Sequence, residues 1–337
     1  MEVAILGAGA MGSALAIPIS ERGHEIKLWF TEYDMSIYDV VSKGEPHPRI
    51  KVRLPDTIKF YKPDQLKEAL EEIDYIIIAV SSEGVPVISK LIRETIGTPR
   101  QPLIVVSKGI EIEDGIAKTM SEIIEGYVGS DKIVYVAGPS LAAELAKKLP
   151  THVVYASKYI EISSELKREF ETSYYRIEVS NDIIGAQLSA ALKNIYAIAY
   201  GIIEGYLRAN NIVNNNLKAA LLSKALDEMA KVVSFCGGKR ETVYGLAGLG
   251  DLYVTSLGGR NSMFGQLLGE GLSTKEALDV MRKKGVGVVE GYKNAATIRK
   301  YLHQKDIGRD KAPIFYAVYS ILYEGSEKEI LFKTLNQ

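Results

Sequence analysis

The chain has 337 residues, 47% hydrophobic and 25% charged, and its 41 Lys and Arg almost cancel its 42 Asp and Glu, leaving a formal charge of −1. At roughly 150 residues per domain this length suits two domains with sizeable cores, which excludes a peptide or a short interaction module. A near-neutral chain has no global field with which to hold a polyanion, so nucleic acid and acidic lipid are disfavoured as main partners.

Val3 to Ile19 carries no charge, but Glu2 precedes it and Gly7, Gly9 and Gly12 interrupt it, so it does not read as a signal peptide. No other uncharged apolar run is long enough to span a bilayer. The lone Cys236 forms no intramolecular disulfide, and the histidines are scattered without metal-binding spacing, so no metal is expected and a reducing, cytoplasmic setting follows.

In chain order, strands are predicted over Glu2–Leu6, Glu25–Phe30, Tyr75–Val80, Leu103–Ser107, Ile133–Val136, Thr151–Ala156 and Arg176–Val179. Several are nearly continuous Ile and Val, the pattern of strands covered on both faces in a parallel sheet. Helical stretches alternate with them, among them Ser13–Arg22, Asp64–Glu72 and Val85–Glu94, so residues 1–180 read as a Rossmann-type, doubly wound α/β domain. Past Asn181-Asp182, a good helix cap, the pattern turns helical over Ile183–Arg208, Asn210–Val233, Thr274–Lys284 and Lys311–Glu324. Residues 181–337 therefore read as a mostly α-helical second domain.

Gly7-Ala8-Gly9-Ala10-Met11-Gly12 lies between the first strand and the first helix, the context in which such glycines bind a dinucleotide. Gly7 permits the tight turn, Gly9 lets the backbone approach a pyrophosphate, and Gly12 lets the helix pack near the strand. An acid about 20 residues further on usually binds a ribose 2′-hydroxyl and favours NAD. Glu32 falls in that window with no Arg after it, although a solvated loop acid is an equal reading.

Four further glycine-bearing segments read as loops: Ser107-Lys108-Gly109, Ala137-Gly138-Pro139-Ser140, Leu246-Ala247-Gly248-Leu249-Gly250-Asp251 and Gly258-Gly259-Arg260-Asn261. Lys108 follows a buried strand, at the edge where α/β sheets bind ligands. Lys193 sits in Ala190-Ala191-Leu192-Lys193-Asn194-Ile195-Tyr196-Ala197, a helix that looks buried. A lysine there is costly unless paired, and burial suits a lysine to general-base work; the alternative is a lysine snorkelling from a partly exposed helix.

These motifs, with Glu144, Phe264-Gly265 and Val289-Glu290-Gly291-Tyr292, follow the order found in the NAD(P)-dependent glycerol-3-phosphate dehydrogenases, which the chain resembles from residue 3 to about 295. The resemblance implies hydride transfer between C2 of sn-glycerol 3-phosphate and a nicotinamide ring, giving dihydroxyacetone phosphate. NAD(P) is then the cofactor, a small phosphorylated molecule the substrate, and a homodimer the assembly. Position by position it makes Lys193 the proton acceptor, with Lys108 touching substrate and cofactor and Asp251 completing the catalytic set. Gly138, Ser140, Arg260 and Asn261 join Lys108, Lys193 and Asp251 around the substrate. Gly7, Gly9, Ala10, Met11, Gly12, Thr31, Glu32, Ala142, Val288 and Glu290 fall to the cofactor, to which Arg260 also reaches.

Two departures stand out. Gly259 replaces a serine common among relatives, and Thr31 stands where NADP-preferring relatives often carry Arg or His, which leaves NAD against NADP open. Related 3-hydroxyacid or 6-phosphogluconate dehydrogenases and a non-catalytic dinucleotide sensor are the alternatives. The Gly259-Arg260-Asn261 and Gly250-Asp251 segments argue against the first, and retention of both lysines against the second.

Overall fold

The computed structural model describes residues 1–287 and 289–336. Its ten strands are β1 (Glu2–Leu6), β2 (Glu25–Trp29), β3 (Ile58–Tyr61), β4 (Tyr75–Ile78), β5 (Leu103–Val105), β6 (Ile110–Glu113), β7 (Ile116–Thr119), β8 (Ile133–Ala137), β9 (Thr151–Ser157) and β10 (Tyr175–Ser180). Eight of them form one sheet in the order β10-β9-β8-β5-β4-β1-β2-β3, while β6 and β7 form a separate pair. β1 lies between β2 and β4, with Ile5 opposite Leu28 on one side and Ile77 on the other. Helices cover strands that are buried along nearly their whole length, and the core of this part gathers Ile5, Leu15, Ile26, Ile77, Ile104 and Phe170.

The pairing departs from an all-parallel sheet at one place: β8 and β9 run antiparallel, with Tyr135 opposite Ala156. Burial on both faces tells that a strand is central and says nothing about its direction, which is why apolar runs could not reveal this reversal. The stretch expected to be helical over Asp64–Glu72 is shorter, a 3-10 turn Pro63–Gln65 followed by Leu66–Ala69, and Glu72 turns the chain with a φ of 51°.

The chain divides into two compact units, Met1–Lys108 with Thr119–Ile183, and Gly109–Lys118 with Ile184–Gln337. The β6–β7 pair joins the second, because Ile110 and Ala117 pack into the helical core and the Gln304 amide exchanges two hydrogen bonds with the Ala117 backbone, at 2.7 and 3.1 Å. That unit is built on the long helix Ile183–Ala209, which begins directly after Asn181-Asp182, and on Asn215–Phe235. The break between them has a local cause. Asn211 takes a φ of 55°, and the Asn214 side chain caps the next helix by accepting from the Leu217 N–H at 3.0 Å. Among the described residues no helix is long and apolar enough to cross a membrane.

Two helices of this unit touch backbone to backbone. A Cβ on Gly201 would lie 2.2 Å from the Ser262 carbonyl oxygen, and one on Gly205 would lie 2.0 Å from that of Gln266. From the other side, Gly265 and Gly269 would meet the carbonyls of Ile198 and Ile202 at 2.2 and 2.1 Å. Each helix thus offers two glycines spaced by four residues, and Arg260–Gly269 lies against Ile183–Ala209 at a distance no side chain permits.

Candidate active site

In the first unit, β1 leads into Gly7, whose φ of +109° suits glycine, and a Cβ there would sit 2.8 Å from the carbonyl oxygen of Ala79. Gly12 belongs to the helix Ala10–Glu21, and its Cβ would collide with the Gly7 carbonyl oxygen at 2.0 Å. Gly9 is different: among the described residues beyond its chain neighbours, the only atom within 4 Å of its would-be Cβ is Nη1 of Arg49, at 3.7 Å. No side chain caps this helix and its first turn holds no acid, so its leading N–H groups and positive dipole end fit a dinucleotide pyrophosphate.

Ala8 between these glycines is held from both sides. Its N–H donates to Asp34 Oδ2 at 3.2 Å, and its carbonyl accepts from Ser13 Oγ at 3.1 Å and from His47 Nε2 at 3.2 Å. The His47 ring is fully buried, and its Nδ1 accepts the N–H groups of Arg49 and Ile50 at 3.1 and 3.4 Å. That arrangement puts the proton on Nε2, and burial pushes the imidazole pKa down, favouring the neutral ring. Asp34 also accepts the N–H and hydroxyl of Thr31 at 3.1 and 2.7 Å. The buried acid after β2 is therefore structural, whereas Glu32 beside it is exposed.

At the ends of β5 and β8, Lys108 Nζ donates to the Gly138 carbonyl at 3.2 Å. Met11, Val106, Lys108, Gly138 and Ser140 line a small cavity of about 20 Å³, and the Ser140 hydroxyl points at the Met11 sulfur at 3.9 Å. Ala142 opens the short helix Ala142–Ala146 that follows.

The second unit holds the other lysine. Lys193 is 7% exposed, and its Nζ donates to Asp251 Oδ1 and, at 2.9 Å, to Thr255 Oγ1. Asp251 is 1% exposed. The segment before it is not a loop: Leu246–Gly250 is a π-helical turn that runs into the helix Asp251–Ser256. Asp251 and Thr255 consequently share a helix face, and the Thr255 hydroxyl donates to the Asp251 carbonyl at 2.7 Å. Gly248 allows the turn, since a Cβ there would meet the Val243 carbonyl at 2.1 Å. A buried ammonium with a buried carboxylate and a hydroxyl partner balances much of the desolvation that either charge alone would suffer.

Next to Lys193, Asn194 Oδ1 accepts from Asn261 Nδ2 at 2.9 Å, and Asn261 Oδ1 accepts the Gly291 N–H at 2.8 Å. The buried Nδ2 of Asn194 has no hydrogen-bond partner among the described residues. Arg260 and Asn261 begin the helix Arg260–Gly269 rather than lying in a loop, and the glycine contacts with Ile183–Ala209 set Asn261 against Asn194. Arg260 Nη2 pairs with Glu290 Oε1 at 3.0 Å on a half-exposed surface. Val288, expected at the cofactor, lies outside the described residues. Thr255 and Arg49 had escaped the sequence reading: Thr255 would show only once Gly250-Asp251 is read as a helix, four residues being one turn, and Arg49 lies in a segment without periodic pattern.

Comparison with known proteins agrees across the chain. The profile of the NAD-dependent glycerol-3-phosphate dehydrogenase N-terminus matches residues 2–163, and that of the C-terminus matches residues 182–333. An NADP(+)-dependent glycerol-3-phosphate dehydrogenase of Archaeoglobus fulgidus is 40% identical over 99% of this chain and 98% of its own length. A glycerol-3-phosphate dehydrogenase [NAD(P)+] of Clostridium tetani is 32% identical over 96% of this chain and 89% of its own. The crystal structure of glycerol-3-phosphate dehydrogenase from Coxiella burnetii superposes with a TM-score of 0.85 at 31% identity, covering 100% of this chain and 99% of that one.

Proposed function

The chain belongs to the NAD-dependent glycerol-3-phosphate dehydrogenase family, and from that premise we propose that it interconverts sn-glycerol 3-phosphate and dihydroxyacetone phosphate with Lys193 as the acid and base. The observation that carries this reading is the buried Lys193 with its fixed partners Asp251 and Thr255. A bound NAD(P) would supply the hydride acceptor or donor for C2.

In the reducing direction Lys193 gives a proton from Nζ to the ketone oxygen; in oxidation it takes the hydroxyl proton back. Asp251 and Thr255 aim that nitrogen and balance its charge. Lys108, held by the Gly138 carbonyl, keeps positive charge on the substrate oxygen, with Gly138 and Ser140 lining the same side. The Arg260 guanidinium takes the phosphate in exchange for Glu290, and the orphaned Asn194 amide, locked by Asn261, adds a neutral donor. On the cofactor side Gly7, Gly9, Ala10, Met11 and Gly12 hold the pyrophosphate, with Thr31, Glu32, Ala142 and Glu290 at its edges.

Residues 1–180 hold most of the dinucleotide contacts in this reading and residues 181–337 the proton donor and the phosphate site, while Lys108, Gly138 and Ser140 of the first part also face the substrate. The setting we assign is a cytoplasmic homodimer serving glycerol and glycerophospholipid metabolism. A named relative is NADP(+)-dependent, which weighs toward NADP here. Steady-state rates with dihydroxyacetone phosphate and either NADH or NADPH test reaction, substrate and cofactor together; no oxidation of either nucleotide by that ketone overturns the assignment.

A further inference from the structure

We propose that Arg49, positioned by His47, recognises the 2′-phosphate that distinguishes NADP from NAD and makes NADPH the preferred cofactor. The inference rests on the dinucleotide-binding reading above and sharpens it.

Selectivity for the extra phosphate needs a cation near the end of β2, and the residues directly after that strand supply none. Both hydrogen-bonding groups of Thr31 are taken by Asp34, and Asp34 is itself buried in that contact and in its bond from Ala8. Glu32 is exposed and negative, which opposes a phosphate. The cation comes from further along the chain. His47 donates to the Ala8 carbonyl and accepts the backbone N–H of Arg49, so the ring staples the Arg49 segment to the glycine turn. Ala8 is thus the residue where two segments meet, the end of β2 through Asp34 and the Arg49 segment through His47.

The Arg49 side chain is exposed, its Nη1 comes within 3.7 Å of where a Gly9 side chain would start, and no carboxylate is paired with it among the described residues. A surface arginine with no function is ordinarily free to spread into solvent or pair with a neighbouring acid; this one is drawn back over a dinucleotide turn. The pyrophosphate is already served by the leading N–H groups of Ala10–Glu21. A planar, two-pronged guanidinium beside Gly9, on a segment tied through Ala8 to the residues that follow β2, is suited to the phosphate that NADP adds.

The test is calorimetric titration of the free protein with NADPH and with NADH, without substrate, for wild type, Arg49→Ala and Arg49→Lys. Arg49→Ala should weaken NADPH binding by about 10- to 100-fold, the scale of a lost charged hydrogen bond, and leave NADH within about twofold; Arg49→Lys should recover part of the loss. An equal loss for both nucleotides assigns Arg49 to the pyrophosphate and overturns the proposal, as does unchanged NADPH binding. Because binding is read without turnover, failure to reduce dihydroxyacetone phosphate would defeat the proposed reaction and leave this result standing.

Discussion

Lys193 and Asp251 form an ion pair closed to solvent, with side chains 9% and 2% exposed. A charge pair so deeply buried is a weak contributor to stability against an apolar pair of equal volume, which is in keeping with the proton transfer proposed for Lys193. Lys193→Ala should lower kcat by about 100- to 10,000-fold, the usual worth of a general acid or base, while the Kd for NADPH stays within about twofold. Thr255→Val, which removes only one of the hydrogen bonds that aim the nitrogen, should cost on the order of tenfold. Near-normal turnover in the alanine variant would remove Lys193 from the mechanism.

Arg260 faces a competitor. Its guanidinium is paired with Glu290 at 3.0 Å, on a surface where such pairs contribute little. Arg260→Ala should raise KM for dihydroxyacetone phosphate by about 10- to 100-fold with a smaller change in kcat, from the loss of a charged hydrogen bond to phosphate. If KM is unchanged, the phosphate binds elsewhere.

The glycine contacts between Ile183–Ala209 and Arg260–Gly269 make a prediction of sign. In an open helix, Gly→Ala is stabilising by about 0.5–1 kcal/mol. Gly126, on the helix Met120–Val128 with nothing within 4 Å of its would-be Cβ, should behave so. Gly265→Ala should go the other way, losing about 1–3 kcal/mol as its methyl forces the helices apart. Denaturant midpoints of the two variants decide; a gain at Gly265 would show that the contact relaxes freely. The same shift would displace Asn261 from Asn194, so Gly265→Ala should also raise KM.

Glu228 sets a pH dependence. It is buried, accepts the N–H groups of Ile314 and Phe315 at 2.7 and 2.8 Å at the start of Pro313–Tyr323, and takes the Tyr196 hydroxyl at 3.1 Å. Burial outweighs these bonds and pushes its pKa up from 4.5 to about 7. Below about pH 4.5 the carboxyl is protonated whether the chain is folded or not and leaves no difference. As pH rises from there to about 7 only the unfolded chain releases the proton, so stability falls through that window by on the order of 3 kcal/mol and levels off above it. Glu228→Gln should flatten this part of a stability-against-pH curve whatever its offset; an unchanged slope would assign the titration to another group.

Long buried runs such as Tyr75–Ile78 and the uninterrupted helix Ile183–Ala209 were legible in the sequence because burial writes itself as continuous Ile, Leu and Ala. β3, whose Ile58-Lys59-Phe60-Tyr61 lies at the sheet edge, was not, since four residues of which only Ile58 is buried carry little periodic signal. The β6–β7 pair is equally short and rich in charge. Of the candidate site, the lysines stood out because Lys193 breaks an apolar pattern and Lys108 follows a strand. Asp251 came with the family resemblance, but Thr255 did not: it is an ordinary threonine until the turn before Asp251 is known to be helical. The role of Gly201, Gly205, Gly265 and Gly269 in helix contact was not legible either. A glycine's neighbours across space are invisible in one dimension.

The two-sided hold on Ala8 has a thermodynamic consequence. A glycine-rich turn left to itself loses much conformational entropy when a ligand fixes it. Here Asp34, Ser13 and His47 have already fixed the peptide on either side of Ala8 within the folded chain. The ordering cost falls on folding instead of on nucleotide capture, so a larger share of the contact energy is expressed as affinity.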